Sequence, residues 1–392
     1  MMGLVLKSTM NTEKITRMEW ARLDARRPRG AGANARLGVH GDRVTVPLVR
    51  LTTDTGVSGF GVCGAGPDRL KMLLGASMSA LFSAAAGVSD AGRVCEFPLW
   101  DLAGQIAGKP VYALAAAVNG LPEPEALRVP CYDTSLYFDD LHLASTEDAA
   151  DLIAEEAREG LAAGHRTFKI KVGRGARHLP PGEGLARDIA VVHAVQNAVG
   201  MDGTLLLDAN NGYTLNLAKH VLTETAGCKI GWLEEAFHED DVLYRDLKTW
   251  LAAQSLNVLI ADGEGDASPR LLDWAQAGLV DVVQYDVFGY GFTRWLALGK
   301  QLDGWGVRSA PHHYGGLFGN HASGHLAAAM HGFTYVEWDE AAAPGLDTSR
   351  YALDSGHVVI PPSPGFGLSL DEAEFQRTVA DNGGSLSYQS SY

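Results

Sequence analysis

The sequence predicts a (β/α) barrel preceded by a small α+β domain, and three observations predict it. From about residue 128, eight short β-type runs alternate with segments of helical length, the pattern of βα units around a parallel sheet. Each run is apolar at its start and polar or charged at its C-terminal end, the face where barrel enzymes collect their chemistry. Residues up to about 125 instead place strand-like segments first and helix-like segments after them.

In order, strand character appears near 15–22, 44–52 and 57–63, with Thr55-Gly56 as a turn between the last two. Helical patterns follow near 68–88 and 97–118, the second interrupted at Gly108-Lys109-Pro110. The eight later runs are VPCYDTSL at 129, TFKIKVG at 167, TLLLDAN at 204, GWLEEAF at 231, NVLIADGE at 257, DVVQYDV at 281, GVRSAPHH at 306 and FTYVEWD at 333. Eight strands fit closure better than an open sheet. The Ser-rich end, GGSLSYQSSY, reads as a tail that frays.

Composition narrows the function classes. The 392 residues are 46% hydrophobic and 20% charged, an ordinary globular balance. No eighteen-residue uncharged apolar run is present, and the N-terminus lacks the marks of a secretory signal, so a cytoplasmic protein is expected. A formal charge of -15 repels nucleic acid and anionic membrane. Cys63, Cys95, Cys131 and Cys228 form no CxxC pair and read as packed free thiols.

The strand-end residues carry the chemistry. Lys169 and Lys171 are two apart, so both project to one face of a strand. Two neighbouring ammonium groups depress each other's pKa, which makes one of them a candidate general base. A lone KxK is a weak signal, because lysine is mostly exposed. Asp208, Glu234 and Glu264 offer one carboxylate from each of three successive strand ends, hard oxygen ligands suited to Mg²⁺. Glu235 and Asp262 are alternatives for two of these places, and Asn210 can reach the metal or a substrate oxygen. Asp286 and His312 form a carboxylate–imidazole pair of acid/base type, with His313 pointing away. Glu337 is either a protonated donor to a substrate carboxylate or the buried partner of a lysine.

These residues resemble the enolase superfamily, specifically its mandelate racemase subgroup, over nearly the whole chain. TFKIKVG resembles the KxK strand with Lys171 as base. LLLDANNGY, WLEEAF and LNVLIADGE resemble the three metal strands, which implies Asp208, Glu234 rather than Glu235, and Glu264 rather than Asp262. QYDV and APHHYGG resemble the Asp–His dyad, and YVEWDE the last strand with Glu337. The resemblance implies a (β/α)7β modified TIM barrel of residues 128–364 and an N-terminal α+β capping domain of residues 1–127, with the tail 365–392 packed on the latter. Its Gly/Arg-rich segment 26–36 would cover the site. Two departures stand out: Ala236 replaces a proline after the paired acids, and the basic stretch 173–184 is longer than the usual connection. Asp286 has no lysine near it, unlike the muconate-lactonising and dipeptide-epimerase branch.

The expected activity is Mg²⁺-dependent dehydration of an acid sugar, an aldonate or aldarate. Lys171 takes the α-proton, Lys169 and Mg²⁺ hold the enediolate, and His312 with Asp286 protonates the departing β-hydroxyl to leave a 2-keto-3-deoxy acid. Asn210, Lys169 and Glu337 are the expected substrate-binding residues. A racemase or epimerase using the same lysine and histidine is the alternative, and a non-catalytic barrel that binds metal or a sugar acid is a second. The expected partner is a small carboxylate, with a homo-oligomer as the assembly.

Overall fold

The computed structural model describes residues 13–313 and 317–388. The extreme N-terminus, residues 314–316 of the HHYGG stretch and the last four residues of the Ser-rich tail therefore lie outside the described residues. The first layer is an antiparallel sheet of β1 (Ile15–Ala31), β2 (Gly41–Thr53) and β3 (Ser58–Val62), followed by α1 (Glu96–Ala107) and α2 (Val111–Asn119). Both helices end on a left-handed glycine, Gly108 and Gly120, where no Cβ opposes the turn.

The barrel follows. Its strands are β4 (Leu127–Leu136), β5 (Thr167–Lys171), β6 (Thr204–Asp208), β7 (Ile230–Glu234), β8 (Leu259–Asp262), β9 (Val282–Val283), β10 (Arg308–Ser309) and β11 (Val336–Trp338), each parallel to the next. β11 pairs with β4, and a parallel bridge from Ser309 to Phe333 joins the seventh strand to the eighth segment, closing the ring. Seven helical connections separate the eight strands, among them α3 (Thr146–Ala163), α4 (Pro181–Val199) and α5 (Leu215–Glu224). Ser145 starts α3 by accepting the N–H groups of Glu147 and Asp148 at 3.1 and 3.2 Å. The ring is filled by Tyr132, Leu206, Trp232, Ala261, Val282 and Ala310, a packed layer and not a pore.

After β11 the chain turns back. β12 (His357–Ile360) pairs antiparallel with the start of β4, α6 (Glu372–Asn382) follows, and β13 (Gly384–Ser387) pairs with β1 at the edge of the N-terminal sheet. All four cysteines are free. No helix among the described residues is long and apolar enough to cross a membrane.

Two expectations about local structure fail. The stretch 68–88 is not one helix: it holds the short helices Pro67–Lys71 and Met78–Leu81, then two-residue strands at Phe82–Ser83 and Gly87–Val88. Gly75 and Gly87 take φ of 78° and 74°, which interrupts the helical hydrogen-bond run. The Gly/Arg-rich segment 26–36, expected as a loop over the site, is strand for its first half, since β1 runs on to Ala31. Pro28 is tolerated because the β1–β2 register shifts between Arg26 and Ala31, where no ladder N–H is required of it.

Asp101 joins the tail to the N-terminal layer. It is 1% exposed and accepts the N–H groups of Phe60 at 3.0 Å and Phe366 at 2.7 Å. Burial outweighs those bonds and raises its pKa to about 7. Because the folded value lies above the unfolded one, the stability that the protonated form contributes is complete below about pH 4 and is lost as pH rises through 7. The difference in unfolding free energy between the wild type and Asp101→Asn should therefore shrink by about 1 kcal/mol from pH 6 to pH 8. Urea titrations at the two pH values check this, and a difference independent of pH would refute it.

Candidate active site

Strand register brings the predicted residues together. Lys171 pairs with Asp208, and Asp208 with Glu234, so one row of inward-facing positions crosses three adjacent strands. Lys169 sits two residues below Lys171, level with Leu206 and Trp232. Beyond the strand ends, Asn210, Asn211 and Glu235 have φ of 41°, 63° and 42°. Left-handed backbone is tolerable for asparagine and strained for glutamate, and such strain concentrates where function holds it. These turns are held by bonds from Asn211 N to the Glu235 carbonyl at 2.7 Å and from Glu235 N to the Ala261 carbonyl at 3.1 Å.

One oxygen each of Asp208, Glu234 and Glu264 falls within 4.8 Å of the others. Asn210 donates its amide N–H to Glu235 at 3.0 Å and to Glu264 at 3.3 Å, while its buried amide oxygen has no hydrogen-bond partner. A hard, oxygen-only donor set of this kind fits a divalent cation such as Mg²⁺. The two alternatives are outside this cluster and engage other partners. Asp262 accepts Tyr244 Oη at 2.5 Å and Gly263 N at 2.7 Å, and burial holds its pKa up at about 8. Glu235 is held protonated, with a pKa near 10, by burial and by the carboxylates of Glu264 and Asp208, and it accepts from Asn210 and Asn211.

Lys169 does depress Lys171 as expected, but at both lysines nearby carboxylates outweigh that effect. Lys169 is 1% exposed and lies 3.0 Å from both Glu234 Oε1 and Glu337 Oε1, and 3.7 Å from Asp208. Burial opposes its charge, yet Glu234 and Glu337 outweigh burial and raise its pKa. Lys171 contacts Asp208 Oδ2 and lies over the Tyr137 ring at 5.4 Å; Asp208 likewise outweighs burial and raises its pKa. Carboxylates within bonding distance, invisible in a KxK motif, decide the sign.

Glu337 takes the second of its two expected roles. It pairs with Lys169 and accepts Thr134 Oγ1 at 2.7 Å and His313 N at 3.0 Å. Burial would favour its neutral form, but Lys169 and His312 outweigh burial and hold its pKa well below the usual carboxylate range. His312 Nε2 lies 3.0 Å from Glu264 Oε2, and its Nδ1 lies 3.4 Å from Asp286 Oδ2, an ion-pair contact without hydrogen-bond alignment. Burial opposes its charge, but Glu264, Glu337 and Asp286 together raise its pKa to about 9. His313, expected to point away, lines the same pocket as His312, and its Nε2–H donates to the Glu337 carbonyl at 2.7 Å.

Lys171, Glu264, Asp286, His312 and Glu337 line one pocket of about 280 Å³, a size for a single small polar molecule rather than a polymer. Sequence reasoning missed Thr134, Tyr137 and Asp339 in its wall, and His40 and Leu37 at its mouth. Thr134 read as an ordinary member of the run VPCYDTSL and Tyr137 as the residue just beyond it, and only the barrel's closure puts Thr134 on Glu337 and Tyr137 beneath Lys171. A larger cavity of about 580 Å³ beside α3 shares Thr134, Tyr137 and Asp339 but contains neither lysine nor any of the three clustered carboxylates.

The enolase C-terminal domain-like family matches residues 152–374, more than half of the chain. The chain belongs to the enolase superfamily. Within it the likeness is to the mandelate racemase subgroup. The galacturonate dehydratase from Geobacillus sp., solved in complex with D-galacturonate and 5-keto-4-deoxy-D-galacturonate, is 47% identical, with 96% of this chain and 99% of that one covered and a TM-score of 0.91. A mandelate racemase/muconate lactonizing protein from Geobacillus sp. Y412MC10, complexed with magnesium and tartrate, is 46% identical over 98% and 99% of the two chains, with a TM-score of 0.94. The D-xylonate dehydratase of Haloferax volcanii is 29% identical over 371 residues, 83% of each chain. This member of the superfamily is a hydro-lyase, and its trio Asp208, Glu234 and Glu264 could hold a metal ion such as the magnesium of the tartrate complex.

Proposed function

We propose that this enzyme dehydrates a hexuronate of the galacturonate type, with Asp208, Glu234 and Glu264 as ligands of Mg²⁺. The observation that carries the reading is one pocket lined by Lys171 and by His312, with the carboxylate trio beside them. When bound, the cation supplies positive charge that offsets the three carboxylates, polarises the substrate carboxylate and favours the neutral form of Lys171.

Lys171 takes the proton α to the carboxylate at Nζ, and Lys169, held charged by Glu337, stabilises the negative charge that develops on the carboxylate oxygens. His312 lies just beyond a different strand from Lys171, bridged to Asp286, and its surroundings favour the imidazolium. It donates that proton to the β-hydroxyl, which leaves as water. Asp286 orients the ring while remaining ionised, and its Oδ1 is fixed by Gly289 N at 2.6 Å. Elimination leaves an enol, which tautomerises by taking a proton at the former β-carbon; counted from the carboxylate the product is a 2-keto-3-deoxy acid, and for galacturonate this is the 5-keto-4-deoxy compound. Asn210 presents its amide oxygen to the metal or to a substrate hydroxyl. The N-terminal layer acts as a cap through residues 32–40, which limits water in the pocket.

Nearly half of all positions are shared with a uronate dehydratase, against 29% or less for the aldonate dehydratases, which moves the substrate from the aldonate or aldarate first expected to a uronate. Initial rates with Mg²⁺ on D-galacturonate, D-glucuronate, D-xylonate, L-arabinonate and galactarate test the class. The reading requires kcat/KM for a uronate to exceed that for every aldonate and aldarate by at least about tenfold, and a preferred aldonate would overturn it.

A further inference from the structure

We infer that Arg177 and His178, in the long basic connection between β5 and α4, are positioning residues that hold the loop 32–40 over the pocket. That loop supplies Asn34, Arg36, Leu37 and His40 to the pocket. Within it Asn34 Oδ1 accepts Arg36 N at 2.9 Å and Leu37 N at 2.6 Å, Asn34 N donates to the Leu37 carbonyl at 3.1 Å, and His40 closes the ends, its N and ring Nδ1–H reaching the Gly32 carbonyl at 3.1 and 2.7 Å. Its tip is open to solvent, with Leu37 46% and Val39 80% exposed.

The barrel provides the external attachment. Three carbonyls of the loop are taken by donors from it: that of Ala33 by Phe138 N at 2.9 Å, that of Asn34 by His178 Nε2–H at 2.8 Å, and that of Arg36 by Arg177 Nη1 at 2.5 Å. The Ala35 methyl enters a notch between Gly173 and Gly212, where an added Cβ would come within 3.0 and 2.7 Å of it. The His178 ring also packs edge-on against Phe138 at 5.9 Å.

The connection is rigid enough to serve as an anchor. Arg174, fully buried, pairs with Asp140 at 2.7 Å and with Asp188 at 2.8 Å, and Asp188 also accepts Gly173 N at 2.7 Å and Tyr213 Oη at 2.9 Å. Removing either partner of such a buried network is costly, so its geometry persists. From this base the chain carries Arg177 and His178 outward to the loop. Neither side chain lines the pocket, so any effect they have on turnover passes through the loop. This accounts for both the length and the basic character of the 173–184 stretch.

The test uses the Mg²⁺-loaded full chain with Arg177→Ala, His178→Ala and the double variant. Hydrogen–deuterium exchange should rise at least about fivefold in the double variant for peptides covering 32–40, with peptides of β5 to β8 unchanged. In steady state KM for D-galacturonate should rise about fivefold for each single variant, with kcat within about twofold, because each lost bond weakens ground-state and transition-state binding alike. Arg177→Lys and His178→Gln, which retain a donor, should recover most of the loss. Unchanged exchange in 32–40, a fall in kcat without a rise in KM, or faster exchange throughout the barrel would each overturn the inference. The kinetic arm rests on the uronate reading. Were the wild type inactive on every acid sugar tried, that reading would fail, while the exchange arm would still decide the role of the two residues.

Discussion

Replacing Lys171 by alanine is expected to lower kcat for acid-sugar dehydration about 10³- to 10⁴-fold, the range that a positioned general base contributes. The residue is 5% exposed, lies in register with the first carboxylate of the trio and faces the pocket. No other neutralisable nitrogen of the wall shares its strand end: Lys169 is fixed lower down between Glu234 and Glu337. Alanine at 171 removes the ammonium from Asp208, so binding of Mg²⁺, followed by calorimetry, should be unchanged or tighter. Exchange of the substrate α-proton with D₂O should disappear together with turnover. Persistent exchange in the variant would mean that a different group is the base.

The second large effect separates the two half-reactions. His312→Asn should reduce dehydration about 10²- to 10⁴-fold while leaving α-proton exchange within about tenfold of the wild type, because the lysine still opens the C–H bond. Asn keeps a polar group beside Glu264 and Asp286 but cannot transfer a proton. The environment of His312 favours the imidazolium that the proposed acid role needs: three carboxylates surround it, at 3.0, 3.4 and 3.9 Å. A variant that lost both exchange and dehydration would show that His312 acts before the elimination step, and one that lost neither would remove it from the mechanism.

Much of this site was legible because a β-strand repeats every two residues and a barrel has one catalytic face. Parity alone placed Lys169 with Lys171, and strand order brought Asp208, Glu234 and Glu264 to one rim. Charge states were not legible, since they depend on distances between strands that only closure sets. Glu337 shows this: its ionised state comes from Lys169, more than 160 positions earlier in the chain. The pocket mouth was legible only in part. Arg36 lay in a segment recognisable by its glycines and arginines, but His40 and Leu37 gain meaning from β1 and β2 carrying the loop across the barrel. The same segment hid the end of β1, because Pro28 and Gly30 look like loop residues where the ladder has merely shifted register.

The most direct test of the central claim is a proton NMR time course of D-galacturonate with the wild-type enzyme and Mg²⁺ in D₂O. The account predicts loss of the substrate signals with stoichiometric growth of 5-keto-4-deoxy-galacturonate. Deuterium entering the α-position without any 5-keto-4-deoxy product, or a second epimer appearing in its place, would contradict dehydration and point to the racemase or epimerase alternative.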